Sequence, residues 1–361
     1  MKKVCTIGSA TQDIFLLYEG AETTHLHTVD QQGTYLLLPE GAKIDIPKIK
    51  YSSGGGAVNV AMGLTKLGHS VEAFFKTGND QFGKQIKEDL AAKNIGSTYC
   101  LVDATHSTAV SVIVPSRTQD HAALCYRGAN RYLSSREFPG DILNEIDLLF
   151  LGPLGGSSTA LISDIAPRAM KAGVVVACNP SAQQLQEDAA FVEALGSIDI
   201  LILNRRESGF LMGALIKSPE PLQQIRGNQM RWLLQPYLRS TKEGYSFKEV
   251  AQKTLNAGPS LLVVTNGSEG VYVATKEHIY FHPSIPIKHA YSLGAGDGFS
   301  SAFLGGFIHG LTLEDAIRFG CINGASVAQY ADAHQGLFTL SELEQHARLL
   351  PKESLQIFQQ N

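Results

Sequence analysis

Short apolar runs recur along the chain, and the stretches between them carry apolar residues at helical spacing. Residues 3–8 (KVCTIG) read as a buried strand, and residues 56–67 (GAVNVAMGLTKL) as a helix that ends before Gly68. Residues 71–75 again suit a strand, and residues 80–93 a helix. Four further runs rich in Val, Ile and Leu follow at 147–151, 174–178, 199–203 and 260–265, separated by helical segments. Alternation of this kind predicts an α/β fold. Its core would be three layers, α/β/α, around a mostly parallel sheet covered by helices on both faces.

Two stretches break the rhythm. Residues 17–52 and 107–127 contain alternating, β-prone segments such as 34–38, 109–115 and 122–126. They are expected to form a small β-sheet lid, leaving 1–16, 53–106 and 128–361 as the α/β core. Residues 213–245, rich in Gln, Pro and Arg, read as a surface insertion with a helix near 228–237. Residues 341–350 read as a surface helix.

Composition narrows the class. The 361 residues are 44% hydrophobic, enough for a substantial core. A net charge of -4 without a basic stripe argues against a nucleic-acid partner. Five scattered cysteines without a CxxC pair suggest reduced thiols. Gly8 and Asp13 interrupt the N-terminus too early for a signal-peptide core, and no apolar run approaches a membrane span. The expectation is a soluble, cytoplasmic protein with no membrane partner.

The candidate chemistry lies near the C-terminus, at Ser292-Leu293-Gly294-Ala295-Gly296-Asp297-Gly298-Phe299. Glycines permit a tight turn. Phe299, Ala302, Phe303, Gly306 and Phe307 then recur at helical spacing, so the turn opens a helix. Free amides and the dipole at a helix N-terminus make an anion site. Asp297 would repel a phosphate held there. That cost makes sense if its carboxylate takes a proton from the nucleophile attacking the phosphate; the plainer alternative is a helix cap. No GxxxxGK[ST] occurs, and the loop is not a dinucleotide fingerprint.

The Gly294–Asp297 loop resembles the C-terminal signature of the ribokinase-like (PfkB) carbohydrate kinases. Five other blocks match in order: Ser53-Gly54-Gly55-Gly56-Ala57-Val58-Asn59, Gly78-Asn79-Asp80-Gln81-Phe82-Gly83, Arg127-Gly128-Ala129-Asn130, Asn204-Arg205-Arg206-Glu207 and Val264-Thr265-Asn266-Gly267. The resemblance implies an ATP-dependent kinase acting on a hydroxyl of a small sugar. Asp297 would be the base, and the amides of Gly294, Ala295 and Gly296 the anion hole. It further implies an acceptor pocket of Asp13, Gly54, Gly55 and Asn59. Asn204 and Glu207 would position Mg²⁺. Asn179, Thr265, Gly267 and Asn323 would contact ATP. A nucleoside kinase of the same fold, or a catalytically inactive regulatory homologue, are the alternatives.

Three departures from the family pattern matter. Tyr291-Ser292-Leu293 replaces the usual Asp-Thr-x before the glycine loop, which puts potassium activation in doubt. Gly56 stands where the ribokinase and phosphosugar branches commonly carry Lys, weakening the case for a phosphorylated acceptor. The long first lid segment suggests a homodimer formed through the lid.

Overall fold

The computed structural model describes residues 1–18, 22–27, 32–116, 121–188, 190–216, 245–288, 291 and 293–360. The helix expected near 228–237 lies outside them. The central sheet runs through β1 (Lys3–Ile7), β6 (Ser70–Phe74), β11 (Leu148–Leu151), β12 (Val175–Cys178), β13 (Ile200–Asn204) and β14 (Leu261–Thr265). It continues into β15 (Val271–Ala274), β16 (His278–His282) and β17 (Gln356–Gln359), in the order β17-β16-β15-β14-β13-β12-β11-β1-β6. From β6 to β14 every neighbour is parallel; β15, β16 and β17 are antiparallel additions. Each of the expected core strands falls within a residue of its predicted start. The three antiparallel strands were not legible, because their mixed sequences, such as HIYFH and QIFQ, lack a continuous apolar run.

Alternation along the parallel strands builds two cores. Cys5, Ile7, Leu149, Leu151, Val176, Leu201 and Val264 face the helices Leu161–Lys171, Arg205–Leu215 and Phe247–Ala257. Val4, Leu148, Phe150, Ala177, Ile202 and Val263 face Gly56–Lys66, Gln81–Ala92, Ala295–His309 and Leu313–Val327. This is the three-layer α/β/α arrangement. A strand buried on both faces needs apolar residues at successive positions, which is why these strands read as unbroken runs. Each such side chain contributes about 1.5–3 kcal/mol by leaving water.

A second sheet of four strands, in the order β10-β9-β2-β5, stands apart from the first. It joins β2 (Thr11–Leu17), β5 (Lys48–Gly54), β9 (Ala109–Pro115) and β10 (His121–Tyr126). The sheet therefore takes in residues 11–16 and 53–54, which the sequence reading had left in the core. Registers assign its faces. Asp13 lies opposite Ser52 and Ser111, so these three share one face with Phe15 and Ile113. Ile14, Leu16, Ile49, Tyr51, Val112 and Leu124 share the other. β3 (Glu22–His27) and β4 (Gln32–Leu37) form a separate hairpin, and β7 (Lys76–Gly78) pairs with β8 (Leu101–Asp103).

Two of the sequence blocks serve this framework. Asp80 caps the helix Gln81–Ala92, its Oδ1 accepting from Gly83 N at 2.9 Å and Thr108 Oγ1 at 2.7 Å, while Oδ2 accepts from Thr108 N at 2.7 Å. Asn130 exchanges a pair of hydrogen bonds with the backbone of Ala10, at 3.1 and 2.9 Å. Both ties fix where β2 and β9 leave the core. Among the described residues, no helix is long and apolar enough to cross a membrane.

Candidate active site

The glycine loop opens the helix Ala295–His309, with Gly294 as its N-cap in the left-handed region at φ 78°. A Cβ on Gly294 would also lie 2.5 Å from that of Ala333, so only glycine suits the position. The first bond of the helix runs from Gly298 N to Gly294 O at 2.8 Å. The amides from Gly294 to Asp297 therefore have no carbonyl one turn back to accept them. A Cβ built on Gly296 meets nothing within 4 Å, so the space before these amides is open. The loop thus forms a cradle of donors with the helix dipole behind it.

Asp297, in the first turn of that helix, meets the N-terminal signature directly. Asn59 Nδ2 donates to Asp297 Oδ2 at 2.7 Å. Asn59 is buried on the helix Gly56–Lys66, which packs beside the Asp297 helix through Val58, Phe299 and Phe303. Burial lifts the Asp297 carboxyl to about 6, against the opposing pull of the Asn59 hydrogen bond. A carboxyl tuned this way is a proton acceptor near neutral pH.

Asp13 stands nearby on β2. Burial raises its pKa to about 7, the Ser111 hydrogen bond opposes this, and the charges of Asp297 and Asp332 add to the rise. Gly54 faces it across the strand pair: a Cβ there would fall 2.0 Å from Asp13 Oδ2. Gly55 adopts φ 94°, with Ser9 O 2.4 Å from its virtual Cβ. Both glycines are therefore required by close approach. Gly56 has the same character, since its Cβ would lie 2.6 Å from Pro153 Cδ. The departure from lysine at that position fits a site packed against Pro153.

The remaining candidates differ in what they offer. Asn204 and Glu207 form a reciprocal capping box at the start of Arg205–Leu215: Asn204 N donates to Glu207 Oε2 and Glu207 N to Asn204 Oδ1, each at 2.8 Å. Burial raises Glu207 to about 7, the Asn204 bonds oppose this, and the Asp297 charge adds to the rise, which places Glu207 within electrostatic reach of the loop. Oxygen donors of this kind suit Mg²⁺, which keeps several waters and binds one or two carboxylates plus phosphates. Thr265 ends β14 beside Asn204, and Gly267 follows in the left-handed region at φ 54° with open space at its Cβ. Asn179 ends β12, its Nδ2 donating to Ile202 O at 2.8 Å.

Asn323 requires a correction. It is 1% exposed, its Nδ2 donates to Gly298 O at 2.7 Å, and its Oδ1 accepts from Phe338 N at 3.0 Å. Both ends of the amide hold helices together, and neither faces a nucleotide. Ser292 lies outside the described residues; Tyr291 N donates to Ala328 O at 2.6 Å.

Three residues that sequence reasoning missed border the site. His334 Nε2 lies 2.9 Å from Asn59 Oδ1, Asp332 Oδ1 accepts from His334 N at 2.7 Å, and Lys50 Nζ pairs with Asp332 Oδ2 at 2.8 Å. They belong to no motif. The segment YADAHQG after the helix Leu313–Val327 has no periodicity, so only the fold brings it to the centre.

Comparison with known proteins agrees with this geometry. The profile of the pfkB family carbohydrate kinases matches residues 1–338. A ribokinase of Haemophilus influenzae is 25% identical over 272 residues, covering 74% of this chain and 78% of its own. A 5-dehydro-2-deoxygluconokinase of Clostridium beijerinckii is 24% identical over 318 residues, covering 80% and 82%. The structure of Arabidopsis thaliana ribokinase complexed with ribose and ATP superposes with a TM-score of 0.72 at 20% identity, covering 96% and 99%, a likeness in fold. The chain belongs to the PfkB family of carbohydrate kinases, and it is a phosphotransferase whose acceptor is an alcohol group.

Proposed function

We propose that the protein transfers the γ-phosphoryl group of ATP to a hydroxyl of a free small sugar, with Asp297 as the base. The observation that carries this reading is the meeting of the two signatures. Asp297 emerges from the amide cradle and is held by Asn59, 2.7 Å away, beside Asp13. Asp13, Gly54, Gly55 and Asn59 bind and orient the acceptor, and Asp13 accepts from its hydroxyls. Asp297 takes the proton of the attacking hydroxyl. The amides of Gly294, Ala295 and Gly296 hold the negative charge of the transferring group, where fixed donors cost no reorganisation. Thr265, Gly267 and Asn179 border the nucleotide at the ends of β12 and β14. Asn204 and Glu207 hold Mg²⁺ through water, and the ion neutralises phosphate charge when bound. The small sheet closes over the acceptor, since Asp13 sits on its inner face with Ser52 and Ser111.

One observation favours a nucleoside acceptor as a second reading. β2 carries Phe15 and Leu17 on the Asp13 face, and these line an apolar recess with Ile113, Pro115, Tyr291 and Leu293. A base ring would cover such a surface better than a bare sugar does. The two readings separate in one assay: ATP consumption against a panel of free sugars, sugar phosphates and nucleosides. A free sugar is expected to give the highest kcat/KM. A nucleoside in first place overturns the sugar reading and keeps the chemistry. Silence across the whole panel, with ATP binding intact, argues for a regulatory homologue.

A further inference from the structure

Asn59 stands between two groups that fix its amide. Its Nδ2 donates to Asp297 Oδ2 at 2.7 Å, and its Oδ1 lies 2.9 Å from His334 Nε2. An ionised carboxylate only accepts, so the amide must turn its NH₂ to Asp297 and its oxygen to the imidazole. That oxygen also only accepts, so His334 Nε2 must carry a hydrogen. Half a turn of the amide would set oxygen against oxygen at Asp297.

We propose that His334 is a positioning residue for phosphoryl transfer: by donating from Nε2 it locks the Asn59 amide in the orientation that holds Asp297 ionised. Asp297 Oδ1 is thereby left for the acceptor hydroxyl. The proposal rests on the reading of Asp297 as the base. Unlike Asp13, Asn59 and Asp297, His334 lies in none of the signature blocks.

Two sets of contacts keep the ring in place. Asp332 accepts from the His334 backbone at 2.7 Å, and from Ser52 Oγ at 3.3 Å. Asp332 also pairs with Lys50 at 2.8 Å, and Lys50 Nζ reaches Gln335 Oε1 at 3.2 Å. Lys50 and Ser52 belong to β5, which runs through Gly54 into the helix carrying Asn59. Strand, loop and helix thus close a ring of contacts around the amide. The charged groups facing His334 are Asp332, Asp89, Lys93 and Lys50. Burial outweighs the carboxylates and draws the imidazole below its ordinary pKa, so the ring is neutral at pH 7. A neutral ring brings no cation to the base, which leaves donation from Nε2 as its contribution.

His334→Leu, His334→Gln and Asp297→Asn, assayed with the acceptor found by the panel, test the proposal. Glutamine can place an amide N–H where Nε2 stands; leucine cannot. His334→Leu is expected to lower kcat roughly 10- to 100-fold, the worth of one hydrogen bond to a charged group, and to leave KM for ATP unchanged. Its acid limb of kcat/KM should move to higher pH, because the Asn59 bond that holds the Asp297 pKa down is lost. His334→Gln should recover most of the turnover and the original limb. An unmoved limb in His334→Leu, or equal losses in the leucine and glutamine variants, overturns the proposal. If the leucine variant does not fold, His334→Asn, too short to reach, takes its place with the same expectations. If Asp297→Asn is inactive while His334→Leu turns over normally, the His334 role alone fails. Normal turnover by Asp297→Asn overturns the base reading and the His334 role together.

Discussion

Three carboxyl groups converge here with pKa values lifted by burial: Asp297 to about 6, Asp13 to about 7 and Glu207 to about 7. Their mutual repulsion is a cost that the fold carries at neutral pH. For Asp297 the folded pKa exceeds the unfolded value of ~3.9. The folded state therefore binds the proton more tightly, and stability falls as pH rises from about 4 through about 6. Asp297→Asn removes that cost. It should be more stable than wild type at pH 8, by on the order of 1–2 kcal/mol after allowing for partial exposure, with the gain gone by pH 4. The same variant should lose ~10²–10⁴-fold in kcat. Thermal melts across pH, run beside turnover, check both; a variant that is stable and fully active would remove Asp297 from the chemistry. Glu207→Gln should keep the capping box, because a glutamine side chain also accepts from Asn204 N. Its Mg²⁺ dependence should nevertheless weaken. A Mg²⁺ titration identical to wild type would leave Glu207 as a cap alone.

At the scale of elements, strand ends and helix starts do the positioning. Asp13, Asn179, Asn204 and Thr265 lie at or next to strand termini, and Asn59 and Asp297 within the first turns of two packed helices. Ligands in open α/β sheets sit at the carboxyl ends of strands for this reason. The Asp80 block carries no chemistry but sets where β9 begins. Burial works against its charge, yet the hydrogen bonds from Thr108 and Gly83 hold its carboxyl below the ordinary value. Asp80→Ala should cost about 1–3 kcal/mol, from a lost cap and an unpaired Thr108 amide. Because the folded pKa is depressed, that contribution is present above ~3.9 and fades as pH falls below it. Denaturant melts at pH 7 measure it, and a loss below a few tenths of a kcal/mol would refute the tether.

At the scale of the molecule, the outer face of the small sheet stands out. Ile49, Tyr51, Leu124 and Tyr126 are 45%, 60%, 64% and 54% exposed, and the registers place all four on the face away from Asp13. Apolar surface of this extent on one sheet face calls for a partner. A homodimer through the small sheets would cover it with the same face of a second copy. Sedimentation at micromolar concentration should give a dimer. Tyr51→Lys with Leu124→Glu should give a folded monomer. A wild type that sediments as a monomer at every concentration would dismiss this reading.

The sequence by itself determined the family, the parallel core and most of the site. Strands buried on both faces must be continuously apolar, and a glycine loop opening a helix is local in sequence, so both are written in short segments. Six blocks in order then sufficed to place Asp297, Asn59 and Asp13. Only the tertiary structure decided what these groups touch. Asn323 looked like a nucleotide contact until its amide was found spent on Gly298 and Phe338. β2 looked like core until its register put it in the small sheet. His334 had no signal at all, because a hydrogen bond between residues 59 and 334 depends on where two distant segments end, and no local pattern encodes that.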